Sequence, residues 1–145
     1  MTPSTDKDPD NLGRFLEAQE GIYETALEEL RSGHKRTHWM WFIFPQVAGL
    51  GQSPISIQYA IADREEARAY LDHPVLGQRL RQCAQAVLDL QDRTIPQVFT
   101  FPDDLKFHSS MTLFEEVDEP GGVFRKILDK YFNGSLDLAT IKHLK

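Results

Sequence analysis

Cysteine is nearly absent from this 145-residue sequence, in which Cys83 is the only one. A single thiol excludes an internal disulfide framework and a cysteine-based metal site, so we expect a cytoplasmic protein. Cys83 itself lies in the amphipathic segment RLRQCAQAVLDL, which predicts a small core side chain. An ordinary apolar core must therefore stabilise the chain, and 41% hydrophobic residues over the length of one domain are enough for it.

Positive charge is also scarce, because 16 lysines and arginines stand against 22 aspartates and glutamates, for a net charge of −6. This balance excludes general binding of a polyanion over the whole surface and leaves room only for a local nucleic-acid contact. Long hydrophobic runs are missing as well. The longest, residues 39–45, is too short to cross a bilayer, and the N-terminal stretch MTPSTDKDPD lacks an apolar signal segment. We therefore expect no contact with a membrane.

The motifs of the common hydrolases and nucleotide-binding folds are missing too. The sequence contains no G-x-S-x-G, no P-loop and no G-x-G-x-x-G. His34 and His38 are four residues apart, as two metal ligands on one helical turn would be, but no third ligand stands at a recognisable spacing. We therefore predict neither a metal nor a cofactor.

The pattern of apolar residues predicts a single compact, mainly α domain of about six to eight helices. Residues 1–9 are polar and contain two prolines, so we interpret them as a disordered leader to a domain of residues 10–145. Apolar side chains recur at three- and four-residue steps through residues 12–30. This spacing predicts one amphipathic helix that ends at Gly33.

Caps and breakers indicate the other helices. Asp63, with Glu66 three residues later, predicts the start of one helix, and Pro74 predicts the start of the next. In the second half, turn signals separate short predicted helices, which are residues 95–99, a segment after Pro102, residues 110–117, residues 123–132 and a segment after Ser135. Strand chemistry is limited to the aromatic stretch that begins at Trp39 and to PQVFTF, so we expect at most one or two short strands.

The stretch HKRTHWMWFIFPQ, residues 34–46, contains the densest group of aromatic residues. Its large apolar side chains are typical of a buried segment, but two tryptophans one residue apart point to opposite faces of an extended chain. Basic side chains just before them place positive charge beside aromatic faces, as in sites that stack a base and hold a phosphate. A solvated helix exit would explain the same charge. The candidate ligand-binding residues here are Lys35, Arg36, His38, Trp39, Trp41, Phe44 and Gln46.

The second candidate stretch is FPDDLKFHSSMTLF, residues 101–114, in which polar side chains are interspersed among apolar ones. Ser109 and Ser110 are candidate ligand-binding residues, although two serines before an apolar run also suit a helix N-cap. Asp103 and Lys106 suit a surface pair of little energy. If Lys106 is buried instead, desolvation favours its neutral amine, a nucleophile that forms a Schiff base with a sugar aldehyde. Lys106 is thus our candidate catalytic residue, and we expect the two stretches to line one pocket.

Three blocks of the sequence, HWMWFIFPQVAGLGQS, YAIADREEARAYLDHPVLGQRL and DDLKFHSSMTLF, resemble the signature blocks of a bacterial family known as domain of unknown function 1810. The resemblance covers roughly residues 10–143. It implies a single, mainly helical domain of the YbiA-like, or NADAR, superfamily. The tail FRKILDKYFNGSLDLATIKHL is similar to the C-terminal pattern of that superfamily.

Characterised members of the superfamily cleave N-glycosidic bonds and remove ADP-ribose from guanine bases, with a glutamate and a lysine implicated in catalysis. The resemblance therefore implies an N-glycosidase, a hydrolase that acts on an ADP-ribosylated base or a related ribosyl nucleotide. This sequence departs from the pattern, because Gln58 and Tyr59 stand where the glutamate-led helix motif is expected. Two alternatives stay open: a non-catalytic module that binds a nucleotide-like small molecule, and a helical interaction domain.

Overall fold

The computed structural model describes Asp8 and residues 10–144, which fold into ten helices. They are α1 (Gly13–Gln19), α2 (Tyr23–Ser32), α3 (Met40–Ile43), α4 (Pro54–Gln58), α5 (Arg64–Asp72), α6 (Leu76–Leu88), α7 (Ile95–Val98), α8 (Asp103–Val117), α9 (Val123–Phe132) and α10 (Leu138–His143). The mainly α prediction is confirmed over these residues. The other residues of the predicted leader, 1–7 and 9, lie outside the described part of the chain. None of the ten helices is both long enough and apolar enough to cross a membrane.

The segment of residues 12–30, predicted as one helix, contains two helices, because the chain turns at Gly21 between α1 and α2. Gly21 has a φ of +73°, which glycine adopts freely and other residues only at a cost of about 1–2 kcal/mol. The apolar periodicity continues across this turn, since Phe15 on α1 and Ala26 on α2 are both fully buried in one core. The predicted stop at Gly33 is confirmed: its φ is +85°, and its N–H bonds to carbonyl groups of the last turn of α2.

No strand forms within the described residues, which agrees with the limit of one or two short strands, and the two segments with strand chemistry contain helical turns instead. The aromatic stretch forms α3 and PQVFTF forms most of α7, while extended pairing is limited to one isolated parallel bridge between Val47 and Ile61. Aromatic and β-branched side chains favour strands mainly because they pack well on a half-buried surface, and here a helical core supplies that surface. The one-turn helices α3, α4 and α7 raise the count above the expected range, because one turn is too short to show a helical period.

The segments predicted as two helices, one after Pro102 and one at residues 110–117, form the single helix α8. Ser109 and Ser110, which suggested an N-cap between them, lie inside this helix and are buried. The helix is central to the fold because it packs against α5, α7, α9 and α10. It is therefore the scaffold that presents the second candidate stretch.

Of two other predicted helix starts, one agrees with the structure and one lies two residues too early. Asp63 caps α5, since its carboxylate accepts the N–H of Glu66 at 2.9 Å. The next helix begins at Leu76, two residues after the predicted start at Pro74. Just before it, His73 Nδ1 accepts the backbone N–H groups of Val75 and Leu76 at 3.1 and 3.2 Å. Both starts therefore depend on a side chain that satisfies a free backbone donor.

Aromatic side chains fill the core beside α8. Phe107 stacks on Phe99, with ring centroids 4.6 Å apart, and meets Phe44 edge-to-face at 5.0 Å. All three are fully buried, and each such side chain contributes about 1.5–3 kcal/mol through burial. Cys83 on α6 is fully buried as well, which confirms its predicted core position, and burial raises the pKa of its thiol to about 12.

Candidate functional site

The carboxylate of Glu29, on α2, holds the loop of residues 34–39 that carries the basic candidates. Glu29 is only 3% exposed. Its Oε1 accepts the backbone N–H groups of Arg36 and Thr37 at 2.9 and 3.1 Å and the indole N–H of Trp39 at 2.9 Å. Its Oε2 accepts the Thr37 hydroxyl at 2.8 Å. One carboxylate therefore satisfies four donors of the loop, including a buried indole N–H.

These hydrogen bonds decide the charge of Glu29. Burial by itself raises the pKa of the carboxyl, but the hydrogen bonds from Arg36, Trp39 and Thr37 outweigh burial and lower the pKa from 4.5 to about 2. Glu29 is not among the predicted site residues, although the sequence contains a signal for it. Glu29 lies on the apolar stripe of α2, three residues after the buried Ala26, and a glutamate on such a face needs partners.

A cluster of two lysines and one carboxylate lies where this loop meets the first turn of α8. The backbone N–H of Lys35 donates to the carbonyl of Val98 at 2.9 Å, which attaches the loop to the end of α7. Lys35 Nζ is 2.8 Å from Asp103 Oδ2, and Lys106 Nζ is 3.5 Å from Asp103 Oδ1. The side chains of Lys35, Asp103 and Lys106 are 8%, 18% and 24% exposed. The Lys35–Asp103–Lys106 cluster is therefore partly screened from water and has an excess of positive charge.

Each lysine of the cluster lies over the ring of one tryptophan. Lys35 Nζ is 5.1 Å from a ring centroid of Trp39, and Lys106 Nζ is 4.8 Å from a ring centroid of Trp41. Trp39 belongs to the core, whereas Trp41 is half-buried and donates its indole N–H to Ser56 Oγ at 3.2 Å. The two tryptophans thus have different surroundings, as expected, although they belong to a helical turn and not to a strand.

The structure brings together four of the predicted site residues, Lys35, Trp39, Trp41 and Lys106, and adds Asp103. From the sequence, Asp103 is predicted only to form a weak surface pair with Lys106, because no residue near it in the chain indicates that Lys35 lies beside it. Its position suits a carboxylate, since Asp103 opens α8 and the first turn of a helix stabilises negative charge.

Gln46 is connected to the cluster through Trp41. The two residues line a small cavity of about 10 Å³, together with Ser56 and Tyr59. This volume accommodates about one water molecule. A larger ligand therefore has to lie on the outer face of Trp41 or displace the neighbouring loop of residues 47–53.

The other candidates of the aromatic stretch lie apart from the cluster. Arg36 and His38 are exposed, and within the described residues their side chains form no ion pair or hydrogen bond. Arg36 takes part in the loop through its backbone N–H. Phe44 is fully buried against two other phenylalanines, so its ring has no free face on which a base could stack.

Ser109 and Ser110 do not reach the cluster through any hydrogen bond. Ser109 Oγ donates to Asp137 Oδ2 at 2.5 Å, and this contact holds the start of α10 against α8. Ser110 is fully buried, and its hydroxyl has no partner within residues 10–144 or at Asp8. The two candidate stretches therefore meet through Lys106 and Trp41 rather than through the serines.

The two histidines considered as metal ligands have different surroundings. Both are exposed, but His34 Nδ1 lies 3.2 Å from the carbonyl oxygen of Gln97, whereas the His38 side chain forms no hydrogen bond within the described residues. In the part of the chain that the structure describes, no group of three or more His, Cys, Asp or Glu side chains is arranged to hold a metal ion.

Fold and site together define a mainly helical domain in which two lysines share a carboxylate beside two tryptophans. The chain belongs to the family described as Protein of unknown function (DUF1810), whose profile matches residues 9–144. Its fold is similar to that of the conserved hypothetical protein Rv1873 from Mycobacterium tuberculosis, known from a crystal structure at 1.38 Å. The two are 48% identical over 94% of this chain and 98% of that chain, with a TM-score of 0.92. Comparison with curated proteins gave no match.

Proposed function

We propose that the protein is an N-glycosidase of the bacterial cytoplasm that removes ADP-ribose, or a related ribosyl nucleotide, from a base. The proposal includes membership of the YbiA-like, or NADAR, superfamily, which the three sequence blocks imply. One observation carries it: in the Lys35–Asp103–Lys106 cluster, a carboxylate lies 3.5 Å from the candidate catalytic lysine. Acid–base chemistry at a glycosidic bond needs such a pair of groups within reach of each other.

Each part of the cluster suits one part of the ligand. The half-buried ring of Trp41 offers a face on which the base can stack. The excess positive charge of the two lysines attracts the diphosphate, and the exposed Arg36, which follows Lys35 in the chain, adds to this attraction. Lys35 also keeps the Asp103 carboxylate in place through its 2.8 Å contact.

In the mechanism that this geometry supports, the C–N glycosidic bond breaks and its electron pair remains on the base nitrogen, which takes a proton from the Lys106 ammonium. The Asp103 carboxylate faces the positive charge that develops on the anomeric carbon. Water then adds to that carbon and gives a proton to Asp103. The products are the free base and ADP-ribose with an anomeric hydroxyl. Proton transfer from Asp103 to Lys106 restores the starting state.

The Schiff-base route expected from the sequence uses the same residues differently. Asp103 first takes a proton from Lys106, and the neutral amine then attacks the anomeric carbon; the base leaves with the electron pair of the C–N bond and takes the proton held by Asp103. Opening of the sugar ring gives an imine, which water hydrolyses. The two routes differ in whether a covalent adduct forms on Lys106, so reduction with borohydride distinguishes them.

A non-catalytic binding module is the second candidate function, and a specific observation favours it. Tyr59 lines the small cavity beside Trp41, which puts the region expected to carry the superfamily glutamate next to the site. At this position the chain has Gln58 and Tyr59 and therefore no carboxylate. In this case the same cluster would bind a nucleotide-like ligand without cleaving it.

An oligonucleotide with ADP-ribosylated guanine tests the proposal. We expect the wild type to release ADP-ribose and the Lys106→Ala and Asp103→Asn variants to lose this activity. Lys126→Ala is the matched control, because Lys126 is an exposed lysine on α9 without an ion pair in the described residues. Full turnover by Lys106→Ala would contradict the assignment of Lys106.

Calorimetry with ADP-ribose separates the enzyme from the binding module. We expect Lys35→Ala to weaken binding more than Arg36→Ala, because Lys35 is part of the cluster, whereas Arg36 is exposed and forms no ion pair in the described residues. A wild type that binds ADP-ribose but cleaves no ribosylated base would establish the binding module. A wild type that does neither would exclude both functions for this site.

A further inference from the structure

A second depression, larger than the cavity beside Trp41, lies between α7, α8 and α9. Its volume is about 500 Å³, within the range of about 300–1,000 Å³ that is usual for sites of small molecules. Leu105 and His108 of α8 line it. With about 100° of rotation per residue along a helix, these two positions lie on the face of α8 roughly opposite to Asp103 and Lys106. This cleft is therefore separate from the Lys35–Asp103–Lys106 cluster.

A flat pair of rings forms part of the cleft wall. The imidazole of His108 stacks on the ring of Phe132, with centroids 4.0 Å apart and planes inclined by only 7°. The carbonyl oxygen of Ser135 lies 2.8 Å from His108 Nε2 and can only accept, so Nε2 carries a hydrogen and the ring orientation is fixed. Both rings are half-buried, which leaves part of each available for contact with a planar ligand.

Two positively charged side chains, Arg93 and Lys130, line the cleft, together with one negatively charged side chain, Asp104. Lys130 Nζ is held in place, since it donates to the carbonyls of Leu88 and Leu90 at 2.6 and 2.8 Å. This excess of positive charge occurs in a chain whose net charge is −6. The cleft is thus locally complementary to an anion.

Arg93 is the cation best suited to bind that anion. Its guanidinium forms no ion pair or hydrogen bond within the described residues, so its planar set of N–H donors is available to a carboxylate or phosphate. Its side chain is nevertheless placed, because it packs on Gly33: a Cβ at that position would be 3.0 Å from Arg93 Nε. Because glycine has no side chain, Gly33 leaves this space open.

We propose that this cleft is a binding site for a small planar aromatic anion. The ring of the ligand lies against His108 and Phe132 and the apolar side chain of Leu105, and its anionic group binds Arg93 with support from Lys130. The inference does not depend on the N-glycosidase proposal, since it uses none of the residues assigned to that reaction.

Three naphthalene probes of different charge test this site by calorimetry and by amide chemical shifts: 1-naphthoate, 1-naphthalenemethanol and 1-naphthylmethylammonium. We expect naphthoate to bind best, with shifts centred on Leu105, His108 and Tyr131. A charge-assisted hydrogen bond contributes about 1.5–3 kcal/mol, so Arg93→Gln should weaken naphthoate binding by about 10- to 100-fold and leave binding of the neutral alcohol unchanged.

Two control variants complete the design. Arg68→Gln removes an exposed arginine that lines no part of the cleft and should bind naphthoate like the wild type. Lys106→Ala should also bind it normally, which separates this site from the proposed catalytic one. The inference is overturned if no naphthoate binds at millimolar concentration, if the alcohol binds as tightly as naphthoate, or if Arg93→Gln and Arg68→Gln have equal affinity.

Discussion

Replacement of Glu29 by glutamine should lower the free energy of unfolding by about 3 kcal/mol at neutral pH. The pKa of this carboxyl is lowered from 4.5 to about 2 by the hydrogen bonds of the loop, and each pKa unit corresponds to about 1.4 kcal/mol. Glutamine isolates the effect of the charge. Its Oε1 can still accept the N–H groups of Arg36, Thr37 and Trp39, and its amide can donate to the Thr37 hydroxyl.

The sign of the pH dependence follows from the same shift. Because the pKa of Glu29 is lower in the folded state than in the unfolded state, its stabilisation is complete above a pH of about 4.5. It is lost as the pH falls from about 4.5 to about 2. The difference in stability between the wild type and Glu29→Gln should therefore be largest at neutral pH and shrink over this acidic range.

Urea unfolding at several pH values, followed by tryptophan fluorescence, measures this difference. Glu28→Gln is the matched control, since Glu28 is the exposed neighbour on the same helix and its loss should change stability by less than about 0.5 kcal/mol. Equal stability of the two variants at neutral pH, or a Glu29→Gln deficit that does not shrink in acid, would refute the role of the carboxylate as the anchor of this loop.

Two further predictions concern the core. Gly77→Ala should destabilise the fold by about 3 kcal/mol in chemical denaturation, because a Cβ at Gly77 would be 2.0 Å from the backbone oxygen of Leu71. The control Gly121→Ala has open space around the new Cβ but a φ of +81°, and it should lower stability by only about 1 kcal/mol. Equal losses of stability in the two variants would contradict the steric explanation. In the native protein near neutral pH, Cys83 should resist a thiol-specific disulfide reagent, because burial raises the pKa of its thiol to about 12. It should react once the protein is unfolded. Rapid labelling of the native protein would show that the thiol is not buried.

Local and periodic features of the chain could be predicted from the sequence. The helical spacing of apolar residues and the single core follow from which side chains must leave water. The helix end at Gly33 and the cap at Asp63 follow from backbone conformation and from the need to satisfy free N–H groups near the helix ends, both of which depend on a few neighbouring residues. Cys83 could be placed in the core for the same reason, because its position on the stripe of α6 is a property of spacing.

The turn at Gly21 and the continuity of α8 could not be predicted in this way. An apolar stripe is the same whether one helix or two present it to the core, and serine is favoured at a helix N-cap, so Ser-Ser suggests a boundary that the structure does not have. Whether such a segment folds as one helix or as two depends on the elements that pack around it. For α8 these are α5, α7, α9 and α10.

The composition of the candidate site was decided by the tertiary structure. The sequence by itself determined that basic residues precede two tryptophans and that a lysine follows two aspartates. Only the fold brings Lys35 to Asp103 and Lys106 to Trp41, and only the fold reveals Glu29 as the anchor of the loop. The physical reason is that an ion pair or a stacked ring depends on distances between groups far apart along the chain. Those distances are set by how the helices pack, which no local pattern of residues records.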